Sequence, residues 1–286
     1  MQQETVNNLD MSATFMSDRV FRHLSGFIQG HCGIKMPPVK KQMLEGRLRK
    51  RLRALNVSSF ESYCEYVFKT GAETELIHMI DAVTTNKTDF FREPAHFDYL
   101  LEKILPELSR SREKISVWSA GCSSGEEPYT IAMVLSEFAQ EYKINFSVLG
   151  TDISTRVLEK ARRAVYDHEK IEPVPMSFRK KYLLRGKDDK GLVRIKPELR
   201  SQVHFRRLNL MDARFGMHDK VCLIFCRNVM IYFDRNTQEE LLRKLCMQLI
   251  PGGYLFTGHS ETLQGLDLPL ATVAPTIHKR VGHPES

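Results

Sequence analysis

The sequence predicts a small all-α module over residues 1–85, followed by an α/β domain over residues 86–286 built on a parallel sheet. Three observations predict this. Before residue 85 the apolar residues recur at helical spacing. From about Ile115 short apolar runs alternate with helical stretches, the pattern of strands joined by crossover helices. The run Val117 to Tyr129 passes from an apolar strand through small residues into a helix, the skeleton of a nucleotide-type ligand site at a sheet edge.

In the first module, Ser17 or Asp18 can cap a helix carrying Val20, Leu24, Phe27 and Ile28. Gly33 and Pro37-Pro38 break the chain. A second helix is expected from about Val39 to Leu55, with Leu44, Leu48, Leu52 and Leu55 on one stripe. Ser58-x-x-Glu61 reads as a capping box before a third helix, and a fourth runs from about Glu73 to Val83. The phrase Thr84 to Arg92 leaves the module.

In the second domain, strands are expected at 115–119, 146–151, 203–207 and 221–226, with a helix after each of the first two. Gln238 to Leu249 reads as a further helix, ended by Pro251-Gly252-Gly253, with a strand from Tyr254 to Thr257. That late helix, Pro-Gly-Gly and strand are common in Rossmann-like methyltransferases. The stretch from about 173 to 200 breaks the alternation. Lys180 to Arg185 and Leu192 to Lys196 read as short strands around the polar turn Gly186 to Gly191, a small antiparallel β insertion.

Composition excludes several classes. The 286 residues are 42% hydrophobic and 27% charged, as in a soluble globular protein. No apolar run approaches the roughly 18 residues of a membrane span. The polar start, Met1 to Asp10, predicts no signal peptide. Six cysteines in a chain this long make no disulfide framework. Cys222 and Cys226 lie in an apolar strand without clustered ligands, so buried reduced thiols are expected, no metal, and a cytoplasmic location. Net charge is +7. Between Lys35 and Arg53, Lys35, Lys40, Lys41, Arg47, Arg49, Lys50, Arg51 and Arg53 stand against Glu45 alone. That segment equals the whole excess, so one local surface is expected to carry the asymmetry.

The loop Gly121-Cys122-Ser123-Ser124-Gly125 is not a Gly-x-Gly-x-x-Gly, and Glu126 and Glu127 oppose a pyrophosphate. They suit a cationic ligand such as the sulfonium and ammonium of S-adenosyl-L-methionine. Asp152 ends the strand about 25 residues later, where an acid can take ribose hydroxyls. Asn209-Leu210 and the phrase Phe225 to Asp234 place polar groups just beyond two more strands. Alone, Asn209 and Asn228 read as turn residues. Three strand ends, at Gly121, Asp152 and Asn228, carry suitable groups together, which favours a site.

The phrases Thr85 to Glu93, Ser119 to Tyr129, Asp152-Ile153, Asn209-Leu210 and Cys226 to Asp234 closely resemble the CheR family, the chemotaxis receptor methyltransferases, over nearly the whole chain. The resemblance implies a Rossmann-like S-adenosylmethionine-dependent methyltransferase domain with a small antiparallel insertion, preceded by a small all-α domain. It implies transfer of the methyl group to receptor glutamates, giving methyl esters for sensory adaptation. Motif by motif, it implies cofactor contacts from Asn86, Thr88, Arg92, Glu127, Asp152, Asn209, Leu210, Arg227 and Asn228. It puts Arg92 and Tyr232 beside the reacting methyl group. A surface cation at 92 and a core tyrosine at 232, between Ile231 and Phe233, are the bland alternatives.

A glutamate carboxylate, reference pKa about 4.3, needs no general base before it attacks a methyl carbon. The chain accordingly needs no metal cluster or nucleophilic triad. The basic face of the second helix, with Arg47, Arg49, Lys50 and Arg53, is either a solvated face or a docking surface for a glutamate-rich coiled coil in the receptor's cytoplasmic helical region. Some family members use the insertion to dock a receptor C-terminal peptide by adding a strand, and here its turn is about one residue shorter than in those members. Nothing demands more than a monomer.

A nucleic-acid methyltransferase would also explain a basic patch and this cofactor. Amino-methylating enzymes of that kind carry an Asn/Asp-Pro-Pro-aromatic motif, where this chain has Arg227-Asn228-Val229-Met230. No cysteine follows a proline, against the cytosine-C5 class, so no nucleic-acid partner is expected. A non-catalytic cofactor-binding regulatory module is the remaining alternative, and the presence of Arg92 and Tyr232 weighs against it.

Overall fold

The computed structural model describes residues 15–69, 73–186 and 191–282. The start Met1 to Asp10 and the Lys187 to Lys190 part of the insertion turn lie outside the described residues. The chain divides into two compact units, one ending at Thr85 and the other beginning at Asn86.

The first unit is helical. Helix α1, Asp18–Cys32, is capped by Ser17, whose hydroxyl accepts from the Val20 amide, and stops at Gly33 with φ +73°. Helix α2, Lys41–Leu55, follows a 3-10 turn at Pro38–Lys40 and buries Leu44, Leu48 and Leu52. Helix α3 is Phe60–Lys69 and α4 is Glu73–Val83. The expected capping box is shifted by one residue. Ser59, not Ser58, accepts from the Ser62 amide at 3.1 Å, and Glu61 instead accepts from the Ser17 hydroxyl at 2.8 Å.

The basic face of α2 is not uniformly solvated. Arg51 holds buried Glu75 bidentately, at 2.9 and 2.5 Å. Arg47 donates to the carbonyls of Val83 and Thr84 and to the Thr85 hydroxyl. Arg49 pairs with Glu45 and lies over the Phe15 ring. Lys50 and Arg53 are exposed.

In the second unit, helix α5, Ala95–Tyr99, runs through a π-helical segment, Leu100–Ile104, into α6, Leu105–Ser109. The main sheet contains β1 (Lys114–Ala120), β2 (Asn145–Asp152), β6 (Val203–Arg207), β7 (Val221–Cys226), β8 (Leu249–Thr257), β9 (Leu270–Ala274) and β10 (Ile277–Arg280). Its order is β6-β2-β1-β7-β8-β10-β9. The first five strands are parallel, and β10 is antiparallel to both neighbours. All of β7 is buried, as a central parallel strand covered on both faces requires. Phe225 stacks on Phe256 at 4.1 Å, and Val117, Leu223 and Ile131 of α7 (Glu126–Tyr142) belong to the same core. The described cysteines are all buried and unbridged.

The insertion differs from its expected bounds. It is a three-stranded antiparallel sheet that begins earlier, with β3 at Val165–Asp167, then β4 at Leu183–Arg185 and β5 at Leu192–Ile195, ordered β3-β5-β4. Lys180 to Tyr182 are not strand but the end of helix α9, Met176–Tyr182. The late helix, α11, starts at Arg235 rather than Gln238, because Asp234 accepts from the Thr237 amide at 2.9 Å. Pro251-Gly252-Gly253 lies within β8 rather than before it, with Gly252 at φ +74° beside a register shift.

Candidate active site

Strand order reverses direction between β1 and β7, so a crevice opens beyond their carboxyl ends. The loop after β1 is folded over β2: the amides of Gly121 and Cys122 both donate to the Thr151 carbonyl at 2.8 Å. Gly121 has φ +80°, and a Cβ there would stand 2.5 Å from Val229 Cγ2. Only glycine lets the β1 and β7 loops meet this closely. Ser123, at φ +49°, and Gly125, at φ +96°, turn the chain into α7.

Asp152 ties two loops together. One carboxylate oxygen accepts from the Ser123 amide at 2.8 Å and the other from the Ser154 amide at 2.9 Å. The two acids that open α7 part company. Glu126 is buried and turns back to the Ser124 hydroxyl at 2.7 Å, so it does not face a ligand as half of an acidic pair. Glu127 accepts from Ser119 at 2.7 Å and lies 3.3 Å from Arg227 Nη1. Burial pushes the Glu127 carboxyl up, against the pull of Arg227 and Ser119.

Arg227 directly follows β7, with its side chain inside the protein. Its Nε and Nη2 stand 3.3 and 3.2 Å from Glu93 Oε2, and Nη2 also donates to the Arg92 carbonyl. The ring of Phe97 lies 5.7 Å below the guanidinium. Arg92 is half-buried, with Nη1 donating to the Lys87 carbonyl at 3.3 Å. Asn228 follows at φ +59°. Tyr232 ends a 3-10 turn, Met230–Tyr232, and is half-buried.

The other expected residues reach the same end of the sheet by different routes. The Asn86 carbonyl accepts from the Ser123 hydroxyl at 3.2 Å. The Thr88 carbonyl accepts from Lys170 at 3.4 Å. Leu208 donates to the Asp152 carbonyl at 3.0 Å, which brings Asn209 beside Asp152. Asn209 Oδ1 accepts from the Met211 amide at 3.0 Å, so it is a turn residue as well as a site neighbour. Leu210 is buried and its carbonyl takes Lys244 at 2.7 Å.

Sequence reasoning missed the carboxylates behind these groups. Buried Glu261 accepts from the amides of Asn228 at 2.9 Å, Met230 at 2.7 Å and Gly258 at 2.6 Å. It therefore fixes the turn that carries Tyr232. Glu261→Gln leaves at least one of these amides without an acceptor, and should cost about 2 kcal/mol in urea unfolding. An unchanged midpoint would show that the turn holds itself.

Glu93 and His96 form the second missed group. Burial would raise the Glu93 carboxyl, but Arg227 and the His259 amide outweigh it and hold it below its ordinary value. Thr276 donates to the Pro275 carbonyl, so it accepts from His96 Nε2 at 2.7 Å. Nδ1 then faces Glu93 Oε2 at 3.5 Å without a hydrogen-bond partner. Burial first, then Arg227, pushes the imidazole down to about 4. The folded state keeps His96 neutral while the unfolded chain protonates near 6.5. Its contribution is complete above that value and is lost as pH falls from about 6.5 toward 4, amounting to about 2 kcal/mol between pH 7 and 5. Unfolding of the wild type and His96→Gln at both pH values tests this; an equal acid loss in both would acquit His96.

Among the described residues no group of three or more His, Cys, Asp or Glu could hold a metal ion. No described helix is long and apolar enough to cross a membrane.

A sheet of this order, with a small-residue loop at its switch point and carboxylates from Asp152 and Glu127 nearby, defines a Rossmann-like S-adenosylmethionine-dependent methyltransferase. The residues present fit that cofactor: the carboxylates of Asp152 and Glu127 suit ribose hydroxyls and a cationic amino-acid tail. Comparison with known proteins gives the particular family. The family model described as "CheR methyltransferase, SAM binding domain" matches residues 86–277, and "CheR methyltransferase, all-alpha domain" matches 19–84. The chain belongs to the CheR methyltransferase family. It is 40% identical over 281 residues to a chemotaxis protein methyltransferase of Borreliella burgdorferi, covering 96% of this chain and 98% of the relative. It is 42% identical over 265 residues to the Klebsiella aerogenes protein of that name, covering 92% and 90%, and 38% identical over 264 residues to that of Escherichia coli, covering 92% and 91%.

Proposed function

We propose that this methyltransferase esterifies glutamate side chains in the cytoplasmic helical region of chemotaxis receptors, as a cytoplasmic monomer serving sensory adaptation. What supports the reading is family membership, with the kind of group the CheR resemblance puts beside the methyl position. Arg92 and Tyr232 present a guanidinium and a phenol, which hold a carboxylate by donating to it. When bound, S-adenosylmethionine supplies an electrophilic methyl carbon on a cationic sulfur. The substrate carboxylate is already ionised, so alignment and exclusion of water are what the chain has to provide. Asn86, Thr88, Arg92, Glu127, Asp152, Asn209, Leu210, Arg227 and Asn228 would hold the cofactor, with Asp152 toward the ribose hydroxyls. The named relatives, matched along nearly their full length, support receptors as the substrate. Mass spectrometry of receptor peptides tests the reading: the added methyl should sit on glutamate side chains, and methyl on lysine or cysteine would contradict it.

The helical unit supports docking through α2, with a narrower set of cations than the sequence suggested. Lys50 and Arg53 are exposed, whereas Arg47 and Arg49 are engaged within their own unit. Reversing Lys50 and Arg53 to Glu should slow receptor methylation several-fold at low salt and leave cofactor affinity intact. The wild-type rate should fall with added salt, since the screening length is about 10 Å at 0.1 M. A double variant that methylates receptor normally at low salt would mark the face as merely solvated. The insertion offers edge strands β3 and β4 on which a receptor C-terminal peptide can add a strand.

A further inference from the structure

We propose that Glu93 is a positioning residue for methyl transfer: it clamps Arg227, and through Arg227 it fixes the backbone from which the Arg92 side chain projects. The inference rests on the reading of Arg92 as a group beside the reacting methyl.

The chain around Arg92 is unusual. Phe91 has φ +50° and Glu93 φ +57°, so the residue is flanked by two side-chain-bearing residues in left-handed conformations. Neither is glycine, asparagine or aspartate, and such a conformation persists only where surroundings hold it. Contacts at all three residues do so. The Phe91 amide donates to Thr130 Oγ1 at 3.2 Å. The Arg92 carbonyl accepts from Arg227 Nη2. Glu93 Oε1 accepts from the His259 amide at 3.4 Å, while Oε2 takes Nε and Nη2 of Arg227.

Arg227 therefore stands between two carboxylates of different duty. Glu127 approaches Nη1, and Glu93 engages the opposite side of the guanidinium. The Arg227 side chain is 2% exposed and that of Glu93 9% exposed, so water cannot replace Glu93 if its charge is removed. A guanidinium held by Glu127 alone is free to rotate about that contact, and its bond to the Arg92 carbonyl goes with it. The link from Glu93 to catalysis is thus geometric, through a backbone carbonyl, and Glu93 itself need touch neither cofactor nor substrate.

The test is a double-mutant cycle between Glu93→Gln and Arg92→Lys, read as single-turnover methylation at saturating cofactor. Each single variant should be slowed, Glu93→Gln about 10- to 100-fold, the scale of a misplaced group. If Glu93 acts through Arg92, the double variant should be no more than about twofold slower than Arg92→Lys alone. A residue that only supports the fold would instead multiply its penalty with that of Arg92→Lys. Hydrogen exchange supplies a readout without turnover: in cofactor-free Glu93→Gln, protection should fall at Phe91 to His96 and at His259, and be kept elsewhere. Glu93→Asp, which keeps the charge one methylene short, should show the same pattern more weakly, and serves if the glutamine variant does not fold. Multiplying penalties, or unchanged exchange in a slowed Glu93 variant, would overturn the proposal and leave the site reading standing. Full activity of Arg92→Lys would instead remove the site reading on which it rests.

Discussion

Arg92→Lys should lower single-turnover methylation about 100-fold although the positive charge is kept. The guanidinium is a planar fork that can hold a carboxylate at two points, whereas an ammonium is a point donor on a flexible stem. Arg92 is also half-buried and its carbonyl is pinned by Arg227, so the backbone that carries the fork is held in place. A lysine on that same backbone loses the geometry and keeps only the charge. Tyr232→Phe is the companion. Its ring and turn are retained, so cofactor affinity should hold while turnover falls about tenfold for the lost hydrogen bond. The pH profile should gain no new ionisation, because a carboxylate nucleophile needs no base. Full activity in both variants would mean the catalytic assignment is wrong even though the family assignment stands.

Asp152→Ala should weaken S-adenosylmethionine binding by about 10- to 100-fold or more, the scale of hydrogen bonds to a charged group. The structure adds a second consequence. The same carboxylate holds the Ser123 and Ser154 amides, so alanine strands two buried donors and loosens both loops at the crevice. Each stranded amide costs about 1–3 kcal/mol, so affinity and thermal stability should fall together. Asp152→Asn, with one carbonyl oxygen left to accept, should lie between. Calorimetry on the folded variants measures the affinity, and thermal unfolding measures the loop. Unchanged affinity in a folded Asp152→Ala protein would remove Asp152 from the site.

Much of the second unit was legible because its strands are buried on both faces. β7 reads as an unbroken apolar run, and the strand ends that follow β1, β2 and β7 announce themselves as glycine, aspartate and asparagine after apolar stretches. The long helical run from Ala95 to Ser109 and the β9–β10 pair were not anticipated. The π-helical segment at Leu100–Ile104 interrupts the helical period, and β9 exposes most of its residues, so neither shows a clean pattern. Glu93 and Glu261 were invisible for a different reason. Glu93 meets Arg227 134 positions away, and Glu261 bonds residues 31 and 33 positions away, and no local pattern encodes such pairings. The charge reading also fell short. The charge outside Lys35 to Arg53 sums to zero, yet residues 153–207 hold sixteen Lys and Arg against seven Asp and Glu. A neutral total concealed a second basic stretch, so the asymmetry is not confined to one surface.

The most direct test of the account is the chemical form of the transferred methyl group. Receptor-containing membranes are incubated with the protein and S-adenosylmethionine carrying a labelled methyl, and the labelled receptor is then treated with mild base. A carboxyl ester hydrolyses under these conditions, so the account predicts that the label leaves the receptor as volatile methanol and that Arg92→Lys strongly reduces its incorporation. Label that enters the receptor but resists base would be methyl on nitrogen or carbon, and would contradict transfer to glutamate.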